Sequence, residues 1–298
     1  MRVVFIGCVD LSHALLAHLL TLDSAQVVGV VTRQASLFNA DFRSLAPLAE
    51  AAGVPCYIAA GNRQEEMAAW IAARAPDVVY CIGWSYLLRT EILSLPRLGV
   101  IGYHPTLLPR NRGRHPIIWT LVLGLQETGS TFFFMDEGAD TGDILSQERV
   151  PVYDTDDAAV LYARLQDVAK GQVAAFTAQL ADGTYPRLPQ DHTGANSWRK
   201  RSKEDGAIDW RMPAGSVYNL VRALARPYPG AHCVWRGEEV KVWRAEGVGS
   251  SVGKIDHLEP GKVLRVEAGA PVVKCGSGAL RILEHTFDTM PEEGQYIR

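Results

Sequence analysis

Residues 1–32 read MRVVFIGCVDLSHALLAHLLTLDSAQVVGVVT, and this stretch decides the fold class. An apolar run at 3–6 ends at Gly7, apolar residues recur at helical spacing over 11–22, and a second apolar run follows at 27–31. Short apolar runs are typical of buried strands, whereas a spacing of three and four residues is typical of an amphipathic helix. The chain is therefore predicted to open as a β-α-β unit.

The same alternation continues through the next seventy residues. It predicts helices over 45–52, 65–74 and 91–95, and strands near 54–57, 78–81 and 100–103. Strands that alternate with helices favour a parallel sheet covered by helices, so we expect a Rossmann-like α/β domain. Residues 7–12 read GCVDLS rather than GxGxxG, and a nicotinamide dinucleotide site is therefore not supported.

The second half of the chain changes character. Helices are predicted over 117–123 and 156–180, with strands over 131–135 and 144–152. A polar, basic stretch, QDHTGANSWRKRSKED at 190–205, has no hydrophobic period and is typical of a linker. After it, one helix near 216–225 and five short Gly-punctuated strands predict a small β-barrel. We therefore expect an N-terminal catalytic domain over 1–189, a linker over 190–207 and a C-terminal barrel over 208–298.

Composition sets limits on the partners. The net charge is -3 and the estimated pI is about 6.2, so there is no overall basic field of the kind that binds nucleic acid. The five cysteines form no CxxC pair, as expected for free thiols. No run of about 18 apolar residues predicts a membrane helix. We expect a cytoplasmic protein with no metal site and no membrane or nucleic-acid partner.

Two loops carry the residues suited to catalysis. Residues 104–114 read HPTLLPRNRGR and follow one apolar run, and residues 135–143 read MDEGADTGD and follow another. Enzymes with α/β folds assemble active sites from such strand-end loops, so His104 and Asp140 are expected to meet.

The two loops resemble those of the formyltransferases that use 10-formyltetrahydrofolate. HPTLLPRNRGR is similar to the HxSLLPxxRG loop of that family, and GADTGD is similar to its ADxG loop. Residues 203–210 (KEDGAIDW) and 218–231 resemble the linker and C-terminal OB-like barrel of the family's tRNA and sugar enzymes. The motifs occur in the family's order, which makes the resemblance specific.

The resemblance implies catalytic roles for His104 and Asp140. The family's Asn-x-His pair falls on Gly102 and His104, so the carboxamide that stabilises the oxyanion is missing. Loss of one such donor costs on the order of a hundredfold in rate. His104 is expected to compensate by protonating or hydrogen-bonding the oxyanion, while Asp140 orients it and relays the proton lost by the amine. Asn111 is a further candidate donor. We expect Gly102→Asn to raise the rate or to do no harm, whereas a collapse in folate binding would mean that the loop is rebuilt around the glycine.

The resemblance also implies binding residues for the two substrates. For N10-formyltetrahydrofolate, the residues are Ile82, Gly83, Trp84, Ser85 and Leu87 after the fourth strand, with Asp136, Asp140 and Asp143 on the other side. For the amine substrate, the residues are Thr106, Arg112, Gly113, Arg114, Arg199 and Arg201. Flat pterin rings suit main-chain donors and acceptors flanked by apolar side chains.

The sequence leaves several alternatives open for the amine substrate. The segment NRGRHPIIW resembles that of the sugar N-formyltransferases of surface-polysaccharide pathways, including lipopolysaccharide biosynthesis. Those enzymes act on nucleotide-linked amino dideoxy sugars and often form homodimers. A methionyl-tRNA formyltransferase is an alternative, although its tRNA needs an extended basic surface and the basic cluster at 199–203 is short. A non-catalytic folate-binding paralogue and a 10-formyltetrahydrofolate hydrolase are further alternatives, motivated by Gly102.

Overall fold

The computed structural model describes residues 1–36, 40–248 and 255–298. The chain divides into two compact units, each made of several chain segments. The N-terminal unit consists of Met1–Pro116, Thr128–Val150 and Ala163–Arg199. The C-terminal unit consists of Ile117–Glu127, Pro151–Tyr162 and Lys200–Arg298. The fold class is the predicted one, a mixed α/β unit with a parallel sheet at its centre and a unit built on an antiparallel sheet.

The strands and helices lie close to the positions that the hydrophobic pattern predicts. The strands of the first half are β1 (Arg2–Ile6), β2 (Gln26–Thr32), β3 (Cys56–Ile58), β4 (Val78–Cys81), β5 (Val100–His104), β6 (Arg112–Gly113), β7 (Glu127–Phe134) and β8 (Ile144–Pro151). The helices are α1 (Asp10–Leu19), α2 (Ala46–Ala51), α3 (Gln64–Ala72), α4 (Thr90–Leu93), α5 (Pro116–Val122), α6 (Ala158–Asp182) and α7 (Ala214–Ala223). The later strands are β9 (Ser197–Trp198), β10 (Ala231–Trp235), β11 (Glu238–Val248), β12 (Val263–Glu267), β13 (Ala270–Lys274) and β14 (Ala279–His285).

The main sheet has seven strands in the order β3-β2-β1-β4-β5-β7-β8. The five strands from β3 to β5 are parallel, and β7 pairs with β5 in the antiparallel sense. His104 at the end of β5 lies opposite Thr131, in the middle of β7. The end of β7 therefore lies beside the start of β5, where the amide of Met135 donates to the carbonyl of Val100.

Alternation along the strands builds the core of the main sheet. Val4 and Ile6 of β1 are fully buried on one face, where they form a cluster with Met67 and Ile71 of α3 and with Ile92 of α4. Phe5, between them, is also fully buried, because the strand points successive side chains to opposite faces. Burial on both faces explains why the sequence of this strand is continuously apolar.

The C-terminal unit contains a five-stranded antiparallel sheet in the order β10-β11-β14-β13-β12. Its helix α7 carries Arg222, which is buried and donates to the carbonyls of Tyr153, Asp154 and Asp156. A buried guanidinium is stabilised when its donors find such acceptors. The sheet is consistent with the small barrel that the sequence predicts.

No helix among the described residues is long and apolar enough to cross a membrane.

Candidate active site

His104 stands at the carboxyl end of β5 with only 5% of its surface exposed. Its Nε2 lies 2.7 Å from the main-chain carbonyl oxygen of Asn111. Because a carbonyl oxygen can only accept, Nε2 must carry a hydrogen and donate it. The ring orientation and tautomer are thereby set, and Nδ1 is the nitrogen left to exchange a proton.

Asp140 faces that second nitrogen. Its Oδ2 lies 3.6 Å from Nδ1 of His104 and accepts a 3.0 Å hydrogen bond from the amide of Gly113. Strand ends alone do not produce this meeting, since β7 ends beside the start of β5. The loop over 136–143 is what brings the carboxylate to His104. Asp140 adopts a φ of 59°, an uncommon value for a side-chain-bearing residue and one that recurs at functional sites.

The loop after His104 is held by a short strap from residues 196–198. Strand β6 pairs with β9, and the amides of Arg112 and Arg114 donate to the carbonyls of Asn196 and Trp198. Gly113, between them, has a φ of 100°, and a Cβ there would lie 2.4 Å from the carbonyl oxygen of Trp198. A glycine is required at 113 for both reasons.

A pocket of about 350 Å³ opens beside the pair. Its walls come from the residues after β4, from β5, from β7 and from the two loops of the site. The lining residues are Cys81, Gly83, Trp84, Ser85, Tyr86, Leu87, Gly102, Tyr103, His104, Gly113, Arg114, Phe133, Met135, Ala139 and Asp140. The volume and the mostly apolar, aromatic lining are typical of a small-molecule site.

Five of the eight residues expected to bind folate line this pocket, namely Gly83, Trp84, Ser85, Leu87 and Asp140. The other three do not. Ile82 is fully buried, with its amide bonded to Ile6 and its carbonyl accepting from Ser12. Asp136 accepts from the Gly138 amide and the Thr141 hydroxyl, and Asp143 pairs with Arg187 at 2.8 Å. These carboxylates shape the loop and do not face the pocket.

The residues expected to bind the amine substrate are less concentrated. Gly113 and Arg114 line the pocket, whereas Thr106 is fully buried and its hydroxyl donates to the carbonyl of Arg110. Arg112 is also buried, and its Nη2 contacts Gln190 and His192. Both side chains therefore stabilise the loop, contrary to the expectation that they contact substrate.

The two later arginines are not among the residues that line the pocket. Arg199 is exposed, and Arg201 stacks over the ring of Trp119 at 4.6 Å and donates to the carbonyl of Asp205. Their expected contact with a substrate stays a prediction.

Asn111 is not among the residues that line the pocket. Its side-chain oxygen accepts from Asn196 at 3.1 Å, its main-chain amide donates to the same residue, and its carbonyl accepts from His104. Asn111 orients the imidazole, so the expected role as a substitute oxyanion donor is not supported by its position.

The place of the missing carboxamide is filled by other side chains. A Cβ built on Gly102 would lie 2.8 Å from Cγ of Met135 and 2.9 Å from Cζ of Phe133, both closer than real side chains pack. Phe133 is opposite Gly102 in the β5–β7 pair, which explains its proximity. The glycine is part of a repacked wall and not an open space.

Sequence reasoning missed several lining residues. Tyr86 lies within the segment that the resemblance singled out, and its ring packs 6.3 Å from that of Trp84, centroid to centroid. The guanidinium of Arg33 lies 5.0 Å from the Tyr86 ring. The apolar pattern predicts only that Phe133 and Met135 belong to a strand. The pairing of β7 with β5 is what places them in the pocket wall.

Two ionisable groups of the lining are uncharged at neutral pH. Burial raises the pKa of the Tyr103 phenol and that of the Cys81 thiol, and both groups are protonated at neutral pH even at their ordinary pKa values. The other ionisable side chains in the lining are those of Tyr86, His104, Asp140 and Arg114. A histidine and a carboxylate beside an apolar pocket are suited to proton transfer with a bound nucleophile. Among the described residues, no cluster of three or more His, Cys, Asp or Glu could hold a metal ion.

Comparisons with known proteins identify the family of the chain. Residues 1–176 match the family model "Formyl transferase", and residues 200–293 match "Formyl transferase, C-terminal domain". A protein named methionyl-tRNA formyltransferase from Ralstonia nicotianae is 37% identical over 228 residues, which is 75% of this chain and 68% of the relative.

Two solved structures share the fold at low sequence identity. WlaRD, a sugar 3N-formyl transferase solved with dTDP and 5-N-formyl-THF, superposes with a TM-score of 0.70 at 14% identity, covering 97% of this chain and 99% of the other. An N-formyltransferase from Helicobacter canadensis, solved with folinic acid and dTDP-3-aminofucose, gives a TM-score of 0.68 at 13% identity, covering 95% and 98% of the two chains.

Proposed function

The chain belongs to the formyl transferase family and is an N-formyltransferase, and from that premise we propose that it transfers the formyl group of N10-formyltetrahydrofolate to the amine of a nucleotide-linked amino sugar. The observation that carries the proposal is the single pocket that holds His104, Asp140 and residues 83–87. The His104–Asp140 pair and a cleft for a small molecule therefore occur in the same place, as a group-transfer reaction requires.

The pocket suits a folate in shape and chemistry. Trp84, Tyr86 and Met135 line it with flat and apolar side chains, and Ser85, His104 and Asp140 add polar groups to the lining. Pterin rings fit such a cleft, since they present hydrogen-bonding edges and apolar faces. We assign the co-substrate to this wall and the amine to the side of Gly113 and Arg114.

The reaction needs one proton to be moved. The amine nitrogen attacks the formyl carbon, the bond from that carbon to N10 breaks, the amine loses a proton and N10 gains one. Asp140 and Nδ1 of His104 face each other and can carry that proton, whereas Nε2 is bound to Asn111. We assign proton removal from the amine to this pair and its return to N10 to the same groups.

Negative charge on the formyl oxygen needs a donor other than a residue at 102. Arg114 lines the pocket, and its Nη2 lies 3.4 Å from the carbonyl of Ser85. A guanidinium so placed can donate to an oxyanion without leaving its wall. We propose that Arg114 supplies the charge stabilisation that the family obtains from a carboxamide.

A sugar nucleotide fits the electrostatics better than tRNA does. The net charge is -3, and the basic cluster at 199–203 is followed directly by Glu204 and Asp205. Strong tRNA binding neutralises many phosphates and needs a broad basic surface. The dTDP-3-aminofucose in the structure of the Helicobacter canadensis N-formyltransferase carries a single diphosphate, which one or two arginines are enough to bind.

A second candidate is methionyl-tRNA formylation, favoured by one observation. The relative that is 37% identical over three quarters of the chain bears that name. Turnover of each amine by the same protein is the direct comparison between the two candidates.

The test is an assay of the purified protein with N10-formyltetrahydrofolate and one amine at a time. The panel contains nucleotide-linked amino sugars, charged initiator methionyl-tRNA and a control without amine, with tetrahydrofolate release followed optically and the product by mass. Formylated sugar nucleotide is the expected product. Turnover with tRNA alone would assign the second candidate. Release without amine would indicate a hydrolase, and folate binding without release would indicate a binding-only paralogue; either result contradicts the proposal.

Three further assignments go with the sugar substrate and stay predictions. They are a place in surface-polysaccharide biosynthesis, a cytoplasmic location and pairing into a homodimer. Deletion phenotype, cell fractionation and sedimentation would test them in turn.

A further inference from the structure

Gln190 connects the two loops of the active site from outside the pocket. Its side chain is 6% exposed, and its Nε2 donates to the carbonyl of Asp140 at 3.0 Å and to that of Gly142 at 2.6 Å. Its Oε1 accepts from Nη2 of Arg112 at 2.6 Å. One buried carboxamide therefore uses both of its ends, toward the loop of Asp140 and toward the loop that follows His104.

Sequence reasoning placed Gln190 at the start of a linker. Its burial and its three partners instead make it part of the N-terminal unit. A buried amide with satisfied hydrogen bonds holds its partners rigidly, because each broken bond would leave a polar group without water.

The bonds made by Gln190 act on the main chain at the position where Asp140 has its unusual φ of 59°. That conformation turns the carboxylate toward Gly113 and His104. A displacement of about 1 Å in a reacting group lowers rates by roughly a hundredfold, so the geometry of this loop matters for proton transfer.

We propose that Gln190 is a positioning residue for Asp140, which it holds against His104 through the carbonyls of the 140–142 loop. The role in catalysis rests on the proposed formyl transfer, but the role in positioning does not. Arg112 serves as the second anchor, because it fixes the amide orientation in which Nε2 points to the loop.

The test compares Gln190→Met with a matched variant at another buried glutamine. Gln172 on α6 is 2% exposed, and its Nε2 likewise donates twice, to the carbonyl of Ser130 at 3.1 Å and to the hydroxyl of Ser146 at 2.8 Å. It is absent from the pocket lining. Gln172→Met therefore removes the same number of donated bonds from the same unit without touching the site.

The position of the Asp140 carboxylate has a direct reporter, the amide of Gly113 that donates to it. We would measure hydrogen exchange of this amide, normalised to the buried Ile82 amide as a marker of general opening. The variant Asp140→Ala gives the exchange rate of the Gly113 amide in the absence of its carboxylate acceptor. Gln190→Glu provides a second variant if Gln190→Met folds poorly, since it keeps Arg112 partnered while removing both donors to the loop.

We expect Gly113 to exchange at least tenfold faster in both Gln190 variants, approaching Asp140→Ala, and within twofold of wild type in Gln172→Met. We expect kcat to fall at least tenfold in the Gln190 variants, with KM for the folate changed less than threefold. Unchanged Gly113 exchange in both Gln190 variants would overturn the inference. If the wild type formylates no amine, the proposed function fails, and the exchange measurement still decides the role of Gln190.

Discussion

For the replacement of Gly102 by asparagine, the packing of the structure and the resemblance to the family predict opposite effects on folate binding and stability. It would restore the carboxamide that the resemblance places there, and from the sequence we expected it to be harmless. The Cβ alone, however, would lie 2.8 Å from Met135 and 2.9 Å from Phe133. These distances are about 0.6 and 0.5 Å short of an ordinary 3.4 Å contact.

The strain has one route of relief. Phe133 is 2% exposed, and both it and Met135 border the pocket, so the side chains would yield toward that cavity. Forcing extra atoms into a packed wall costs roughly 1–3 kcal/mol, which corresponds to a fall in melting temperature of roughly 2–12 °C for a domain of this size. A ring displaced into the cavity of about 350 Å³ also occupies space needed by a ligand. We expect folate affinity to fall about tenfold or more, equivalent to roughly 1.4 kcal/mol.

The assay is thermal melting together with titration of 5-formyltetrahydrofolate, an unreactive analogue, followed by tryptophan fluorescence. The double variant Gly102→Asn/Phe133→Ala serves as the control, because removal of the ring relieves one of the two close contacts and leaves only that with Met135. It should bind the analogue more tightly than Gly102→Asn alone. A single variant that melts within 1 °C of wild type and binds the analogue within twofold would refute the packing explanation.

Three further results are expected. His104→Ala and Asp140→Asn should each lower kcat by about a hundredfold or more with little change in melting temperature, and substantial activity in both would exclude them as the proton-transfer pair. Hydrogen bonds from Lys203 and Lys241 lower the pKa of Glu239 to about 2, so its carboxylate stabilises the folded state above the unfolded pKa of about 4.5 and loses that contribution as pH falls toward 2. Glu239→Gln should therefore make the free energy of unfolding depend less on pH between 5 and 2. An unchanged slope over that range would contradict this. Gly171 is exposed within α6 with no atom within 4 Å of an added Cβ, so Gly171→Ala should stabilise the protein by about 0.5–1 kcal/mol in urea unfolding, and a loss of stability would indicate an unseen contact.

Much of the fold was predictable because it depends on local periodicity. The run from 3 to 6 and the helical spacing after it mark β1 and α1 within a few residues. The antiparallel direction of β7 was not predictable in this way, since strand direction depends on how the chain returns to the sheet and not on the apolar pattern of the strand.

The site shows the same division. His104 and Asp140 were predictable from two motifs, and the structure brings them within 3.6 Å. Gln190 was not, because its polar neighbours suggest a solvated segment and its buried partners are main-chain carbonyls of residues almost fifty positions away. Long-range hydrogen bonds to main-chain atoms leave no pattern in the sequence of either partner.

The main-chain carbonyl that accepts from His104 affects which substitutions the enzyme tolerates at position 111. A carbonyl of the main chain is present whatever the side chain, so no point substitution at 111 deletes the group that sets the tautomer. A substitution there changes the side-chain contact with Asn196 and the preference for the backbone conformation, because Asn111 has a φ of 63°, which glycine, asparagine and aspartate adopt most readily. Tolerance of substitutions at position 111 should therefore follow the backbone preference of the new residue. Glycine should be tolerated better than β-branched residues, even those close to asparagine in size.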